Sequence, residues 1–335
     1  GKLPAERFSS GNEAAVALET VLASFEPSRA TGARPLEPRG PYPGLSSFSE
    51  ADAERFFGRE VEIESLWDKL RQRPLLALIG PSGAGKTSFV RAGVLPTRPT
   101  GWGAVVATPG AAPMRALAQA LIGALPSDPD TLRDLLAFDD PEVAFRVLQK
   151  WRKTHLECLL VLDQFEELFT LHGPEERREF IVQFAELVRG RGASGRVPST
   201  VDFGNSGPAP VKILLALRED HLADLEELAR DVPGILQHRF RISGLDEENA
   251  GRAIVQPASL EDDALDTPAF TYRDDALQQI LTFLTSHRRG TDTVTGGDVE
   301  PVQLQLVCQY VEGIVRARVS GGEAEPVVVT PEDLG

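Results

Sequence analysis

At 335 residues the chain can bury one large core or two smaller ones, and 41% hydrophobic with 25% charged residues is ordinary globular composition. A net charge of −15 argues against a nucleic-acid-binding face, because neutralising phosphates needs clustered Lys and Arg. The two cysteines, Cys158 and Cys308, form neither a disulfide framework nor a metal-ligand cluster, and the longest apolar runs (74–80, 158–162, 213–217) fall far short of a membrane span. These features predict a cytoplasmic protein with buried thiols and no membrane partner.

Residues 12–25 read as an amphipathic helix, either the tail of an upstream domain or a helix packed on the main one, and the Pro- and Gly-rich stretch 27–44 cannot continue it. A helix is predicted over 60–72 with Val61, Ile63, Leu66, Trp67 and Leu70 on its apolar side. Leu75 to Ile79 then give a buried strand, followed by Gly80-Pro81-Ser82-Gly83-Ala84-Gly85-Lys86-Thr87 and Ser88, which fill G-x-x-x-x-G-K-[ST]. That pattern is a phosphate-binding loop. Gly80, Gly83 and Gly85 let backbone N–H groups wrap an α/β-phosphate pair, and helix 85–95 aims its positive N-terminus at it. Lys86 reaches the β/γ oxygens, and the Thr87 hydroxyl is left for Mg²⁺.

A second strand, 104–107, leads through Thr108-Pro109-Gly110 into helix 113–125, and 130–154 read as two helices split at Asp140-Pro141. The third strand, 157–162, ends in Asp163-Gln164-Phe165-Glu166-Glu167, where an open α/β sheet places its ligand chemistry. Asp163 is the expected second Mg²⁺ residue. Glu166 and Glu167 either position the attacking water, with Glu167 the favoured catalytic carboxylate, or stabilise the N-terminus of the helix running on to Leu171. Helix 175–189 follows, then a long loop over 189–210. Strand 211–217 delivers Arg218 to the edge that carries Asp163, either to sense a γ-phosphate or to pair with Glu219, Asp220 or Glu166. After helix 220–230, a short fifth strand carries Arg239 and Arg241, read as surface ion pairs or as a contact to a neighbouring subunit's nucleotide.

From Gly244 onward only helices are predicted, over 246–256, 274–287 and 299–318. In the third, Pro301 either simply starts the helix or offers a flat apolar face to an adenine ring. The ends, Gly1-Lys2 and a helix start at Thr330-Pro331, read as those of a fragment of a longer protein.

With these motifs placed, residues 41–318 resemble the STAND class (signal transduction ATPases with numerous domains), in its bacterial branch of novel STAND NTPases. The resemblance rests on Tyr42-Pro43-Gly44-Leu45 with Phe48, on 52–60 (DAERFFGRE), on 80–87, on 160–169 (LVLDQFEELF) and on 215–222 (LALREDHL). Such relatives imply an α/β P-loop NTPase core of the AAA+/STAND type, a five-stranded parallel sheet of order 5-1-4-3-2, followed by a small all-helical lid domain. On that pattern, 1–40 link to an upstream effector, 41–243 form the core, 244–320 the lid, and 321–335 begin a winged-helix domain that leads to sensor repeats. The resemblance also implies that Phe57, Gly58 and Arg59 lie by the adenine and that Pro301 touches the base. Gln164 stands at the glycine of a D-G-h-D-E acid cluster, and Thr108 where an arginine is expected before Pro-Gly.

The function implied is an ATP/ADP and Mg²⁺-dependent switch with slow hydrolysis. Self-association through the NTPase module would activate an effector domain of the same chain, with phage defence as one setting. Two rivals are a constitutive AAA+-type ATPase and a scaffold that binds nucleotide without hydrolysis. No N-K-x-D or L-S-G-G-Q motif points to a GTPase or an ABC-type ATPase.

Overall fold

Leu75–Gly80 (β1) is buried along its whole length, as a strand covered on both faces must be. In the computed structural model, which describes residues 39–125, 129–189, 211–232, 234–289, 292–294, 297–322 and 326–334, it lies inside a five-stranded sheet. The helix expected over 12–25 and the loop over 190–210 fall outside the described residues, as does the linker up to residue 38. The other strands are Trp102–Ala107 (β2), Glu157–Leu162 (β3), Lys212–Arg218 (β4) and Arg239–Arg241 (β5). Their order is β2-β3-β4-β1-β5 with every pair parallel, which is the predicted order read from the other edge.

The alternation of side chains along a strand divides the core into two layers. Leu75, Ala77 and Ile79 join Leu160, Leu162, Ile213 and Leu215 under the helices Pro113–Ile122, Pro141–Arg152 and Pro174–Arg189. Leu76 and Leu78 join Leu159, Val161, Leu214 and Phe240 under Glu60–Gln72, whose buried residues are Ile63, Leu66, Trp67 and Leu70. The sequence places the bounds of that helix to the residue, but Val61, expected on its apolar side, is exposed. The helix after the phosphate loop departs from expectation: Lys86–Ser88 is α-helical, but Phe89–Val94 widens into a π-helix, with Leu95 N–H bonding Val90 O at 2.9 Å. Gly93 sits on its inner side, where a Cβ would come within 2.8 Å of Ile63 Cδ1.

The region after Gly244 has its own core, gathered from Glu247–Ala258, Asp274–Thr285 and Pro301–Ser320. The expectation of helices alone is corrected here. Phe270–Tyr272 pairs in parallel with Val327–Val329, and His287–Arg289 pairs antiparallel with Asp292–Val294. Three-residue strands are too short to show a period of two, and the second helix stops at Thr285 because the next residues enter the hairpin. Val327 and Val329 are buried in the same core as Phe270 and Tyr42. An isolated antiparallel bridge between Leu245 and Val299, with N···O distances of 2.8 and 2.7 Å, sets where the Pro301 helix begins.

Candidate nucleotide site

The phosphate loop leaves the C-terminal end of β1, and its local shape follows from its glycines. Gly83 and Gly85 both have φ of +80°, which a side chain would resist, and a Cβ on Gly80 would lie 2.5 Å from Ile242 O. Lys86 folds back over the loop, its Nζ donating to Gly80 O and Pro81 O at 2.9 Å each. Burial lowers its pKa, opposed by the charge of Glu166 and reinforced by that of Arg218. Asp163, 2% exposed, closes β3. Its desolvation raises its pKa, against hydrogen bonds from the Thr87 hydroxyl and the Gln164 N–H and the charge of Arg91.

Around this loop lies a cavity of about 310 Å³. Its polar end is walled by residues 82–88, Asp163, Gln164, Glu166 and Arg218. Its other end combines Leu45, Phe48, Phe56 and Phe57, and the polar Ser46, Ser47, Arg55 and Arg59 of the same segment, with Leu245, Ala253 and Leu304, and Pro301, Val302 and Gln305 close it from the lid helix. The approach is close, since a Cβ on Gly85 would stand 3.7 Å from Pro301 Cβ and one on Gly83 would stand 3.3 Å from Val302 Cγ2.

The structure thus brings most of the predicted site residues to one cavity, with instructive exceptions. Gly80 and Pro81 shape the loop from behind and meet the Lys86 ammonium rather than the cavity. Gly58 turns the chain, at φ of +85°, against Asn249 O, 2.5 Å from where its Cβ would be. Its neighbour Arg59 is 4% exposed and ties three segments together, donating to Glu62 Oε1 at 2.5 Å, Ala84 O at 3.3 Å and Ser243 O at 2.6 Å. The Ser88 hydroxyl accepts the Phe48 N–H at 3.1 Å.

Of the two glutamates, Glu166 faces the cavity and accepts the Arg218 N–H at 3.3 Å. Glu167, the carboxylate favoured from sequence for catalysis, points elsewhere: its Oε2 accepts the Gly110 N–H at 3.0 Å, and His172 Nε2 lies 2.7 Å from Gly110 O. Together they clamp the turn after β2, where Gly110 has φ of +54°. Arg218 lines the cavity, but its guanidinium forks onto Asp220 at 3.0 and 2.5 Å, and that carboxylate holds its pKa above the usual arginine value. Arg241 pairs with Glu219 at 2.9 Å, in keeping with the surface-pair reading, while Arg239 is exposed.

Gln164 is the one non-glycine among the described residues with positive φ, +54°. The position held by glycine in the D-G-h-D-E pattern is therefore left-handed here too, pinned by Phe165 N–H bonding Ala216 O at 2.8 Å. Sequence reasoning missed Leu245, Ala253, Leu304 and Gln305, residues of ordinary helices and a bridge that carry no motif.

A glycine-wrapped loop at the end of a parallel strand, an acid on the neighbouring strand and a second domain leaning over both define a P-loop NTPase. The family model of Novel STAND NTPase 1 matches residues 41–281, and the chain belongs to that family. No curated protein matches it in sequence. Among solved structures, the Aeropyrum pernix ORC2 protein in its ADPNP–ADP complexes is similar at TM-score 0.51 and 16% identity, covering 82% of this chain and 66% of that one. Its ADP form gives 0.51 at 12% identity, with 87% and 68% covered. A Walker-type ATPase of Pyrococcus abyssi gives 0.49 at 14% identity, over 86% of this chain and 72% of that chain. At these identities the likeness is one of fold. The chain is an NTPase module of the STAND family, and no helix among the described residues is long and apolar enough to cross a membrane.

Proposed function

We propose that the cavity binds ATP and ADP with Mg²⁺ and that the module is a slow ATPase switch whose two states differ in how the lid meets the phosphate loop. One observation carries the reading: Pro301 and Val302 stand directly over Gly85 and Gly83, so a nucleotide in the cavity touches core and lid at once. A ligand shifts a conformational equilibrium only through such differential contacts. Driving a two-state switch from about 1:99 to 99:1 needs about 5.5 kcal/mol of discrimination, more than one γ-phosphate's contacts supply, so a trigger sensed outside this chain segment contributes the rest. Self-association of the nucleotide-loaded module and activation of an effector in the same chain belong to this reading.

The site's chemistry fits the ligands. Gly83 and Gly85 give the loop the left-handed turns that phosphate wrapping needs, and the Lys86 ammonium has only carbonyl partners, which anionic oxygens would outcompete. Thr87 and Asp163 line the same cavity and offer the oxygen donors Mg²⁺ takes, the remainder being phosphate and water. Among the described residues no cluster of three His, Cys, Asp or Glu could hold a metal alone, so the cation would arrive with its nucleotide. Bound there, it neutralises charge building on the phosphates. Glu166, on the cavity wall, orients water, and Glu167 holds the β2 turn. Arg218 reaches a γ-phosphate by exchanging Asp220 for it.

The test is to denature the purified protein, identify released nucleotide by chromatography, and titrate ADP into the emptied protein and into Lys86→Ala. ADP bound to the parent, with affinity at least 100-fold lower in the variant, is the expected result. A parent that binds no adenine nucleotide, or a variant that binds as the parent does, overturns the reading.

A further inference from the structure

The first described residues lie on the lid rather than on the core. Gly40 and Gly44 both rest on the helix Pro301–Ser320: a Cβ on Gly40 would stand 1.8 Å from Glu312 Oε1, and one on Gly44 would stand 2.4 Å from Gln309 Oε1. Gln309 and Glu312 are neighbours on one helical face, so residues 40–44 run along that face toward its Pro301 end. Gly44 is glycine for a second reason, a φ of +64°. The Glu312 carboxylate has little room to give, being 2% exposed and held by the Thr267 hydroxyl at 2.6 Å and by Arg316. Just before it, residues 39 and 266 exchange two hydrogen bonds, from Arg39 N–H to Asp266 Oδ2 at 2.6 Å and from Asp266 N–H to Arg39 O at 2.8 Å. Between the two glycines Tyr42 is sunk in the lid core, edge-on to Phe270, and donates its hydroxyl to Ile254 O.

From this geometry we infer that residues 39–48 are a coupling strap, through which docking of the entering chain on the lid and occupancy of the nucleotide cavity favour each other. The inference rests on the proposed nucleotide site and deepens it by naming a means of its regulation. The two ends of the strap have different partners. Arg39, Gly40 and Tyr42 hold the lid and are no part of the cavity wall, whereas Gly44 to Phe48 line the cavity, where the Phe48 N–H is bonded to Ser88 after the phosphate loop. Pro41 and Pro43 stiffen the stretch between, each fixing its φ, so the backbone absorbs little of a displacement at either end. A nucleotide in the cavity touches the wall that the strap supplies and the lid helix on which the strap is moored. If it favours the docked strap, linkage requires that the docked strap tighten its binding by the same factor. The peptide preceding Arg39 joins the module at the lid mooring, so a force or partner acting on residues 1–38 reaches the nucleotide through this strap.

The experiment follows residue-resolved amide hydrogen exchange with and without saturating ADP, and measures Kd for ADP by calorimetry on the parent, Gly40→Ala and Asp266→Ala. Expected in the parent is that ADP slows exchange about fivefold or more at the Arg39 and Asp266 N–H groups, outside the cavity, as well as at the Phe48 N–H on its wall. Slowing at Phe48 alone overturns the inference, because a segment that merely fills the wall gives that result. Gly40→Ala, whose added methyl meets Glu312, weakens ADP binding about tenfold, a coupling of ordinary size. Asp266→Ala, at an exposed position, removes one bond of the mooring and weakens ADP binding about threefold. In both variants the amides of buried Ile280 and Leu281, on another lid helix, stay protected, which separates loss of the strap from loss of the lid. Should Gly40→Ala lose that protection, Asp266→Ala decides. A variant that keeps it and binds ADP as tightly as the parent overturns the inference. Failure of ADP to bind the parent overturns the nucleotide site, and this inference with it, whereas binding without a response at Arg39 overturns the strap alone.

Discussion

The two ends of the cavity are built on different principles. The phosphate-loop end comes from one unbroken stretch, residues 82–88, with Asp163, Glu166 and Arg218 brought to it by adjacent strands of a rigid sheet. The base end is assembled from segments far apart in sequence, around residues 45–57, 245–253 and 301–305, and half of it belongs to the lid. The first end is complete whenever the sheet is folded. The second exists only when the region after Gly244 packs over the core, an asymmetry on which the proposed switch rests.

Substitutions separate the ends. The largest effect is expected from Glu166→Gln, on the cavity wall: single-turnover ATP hydrolysis falls by about 100-fold, as for loss of a general acid–base group, with ADP affinity within about threefold of the parent. Glu167→Gln, whose carboxylate serves Gly110 instead, keeps hydrolysis within about fivefold; the reverse ranking would return the catalytic role to Glu167. A smaller, purely conformational effect belongs to Gln164→Gly. Relief of the left-handed backbone strain, less the added freedom of glycine in the unfolded chain, stabilises the protein by about 0.5–1 kcal/mol in urea titration. A loss of stability there would show that the Gln164 side chain holds the turn. The smallest is a matter of reactivity. Burial pushes the Cys158 thiol up to about 12 and drives Cys308, also beside Glu312, well above the usual thiol range. Iodoacetamide at neutral pH should therefore label neither until the protein unfolds, as read by mass spectrometry.

The same asymmetry governs what could be read in advance. Continuous apolar runs such as 75–80 and 157–162 announced β1 and β3 almost to the residue, because strands buried on both faces have little choice of composition. The glycines and Lys86 were legible because phosphate wrapping demands those residue types. Nothing local announced Gln305 or Leu245: a glutamine in an amphipathic helix and a leucine before one become site residues only through the Leu245–Val299 bridge, a contact across 54 positions. The two glutamates part for a related reason: adjacent in sequence, they are equivalent there, and only the turn geometry around Gln164 sets Glu166 on the cavity wall and Glu167 on the Gly110 N–H.

The stretch from Tyr42 to Phe48 carries a mechanical consequence. Tyr42 is sunk in the lid core, its hydroxyl donating to Ile254 O, while Phe48 is fastened to the phosphate-loop helix by one hydrogen bond to Ser88. About six residues join the two anchors, a leash of roughly 20 Å when fully drawn out. In the proposed switch that length caps how far the two anchors can part, and an opening beyond it must free Phe48 from Ser88 and from its edge-on contact with Phe56 or draw Tyr42 out of its core.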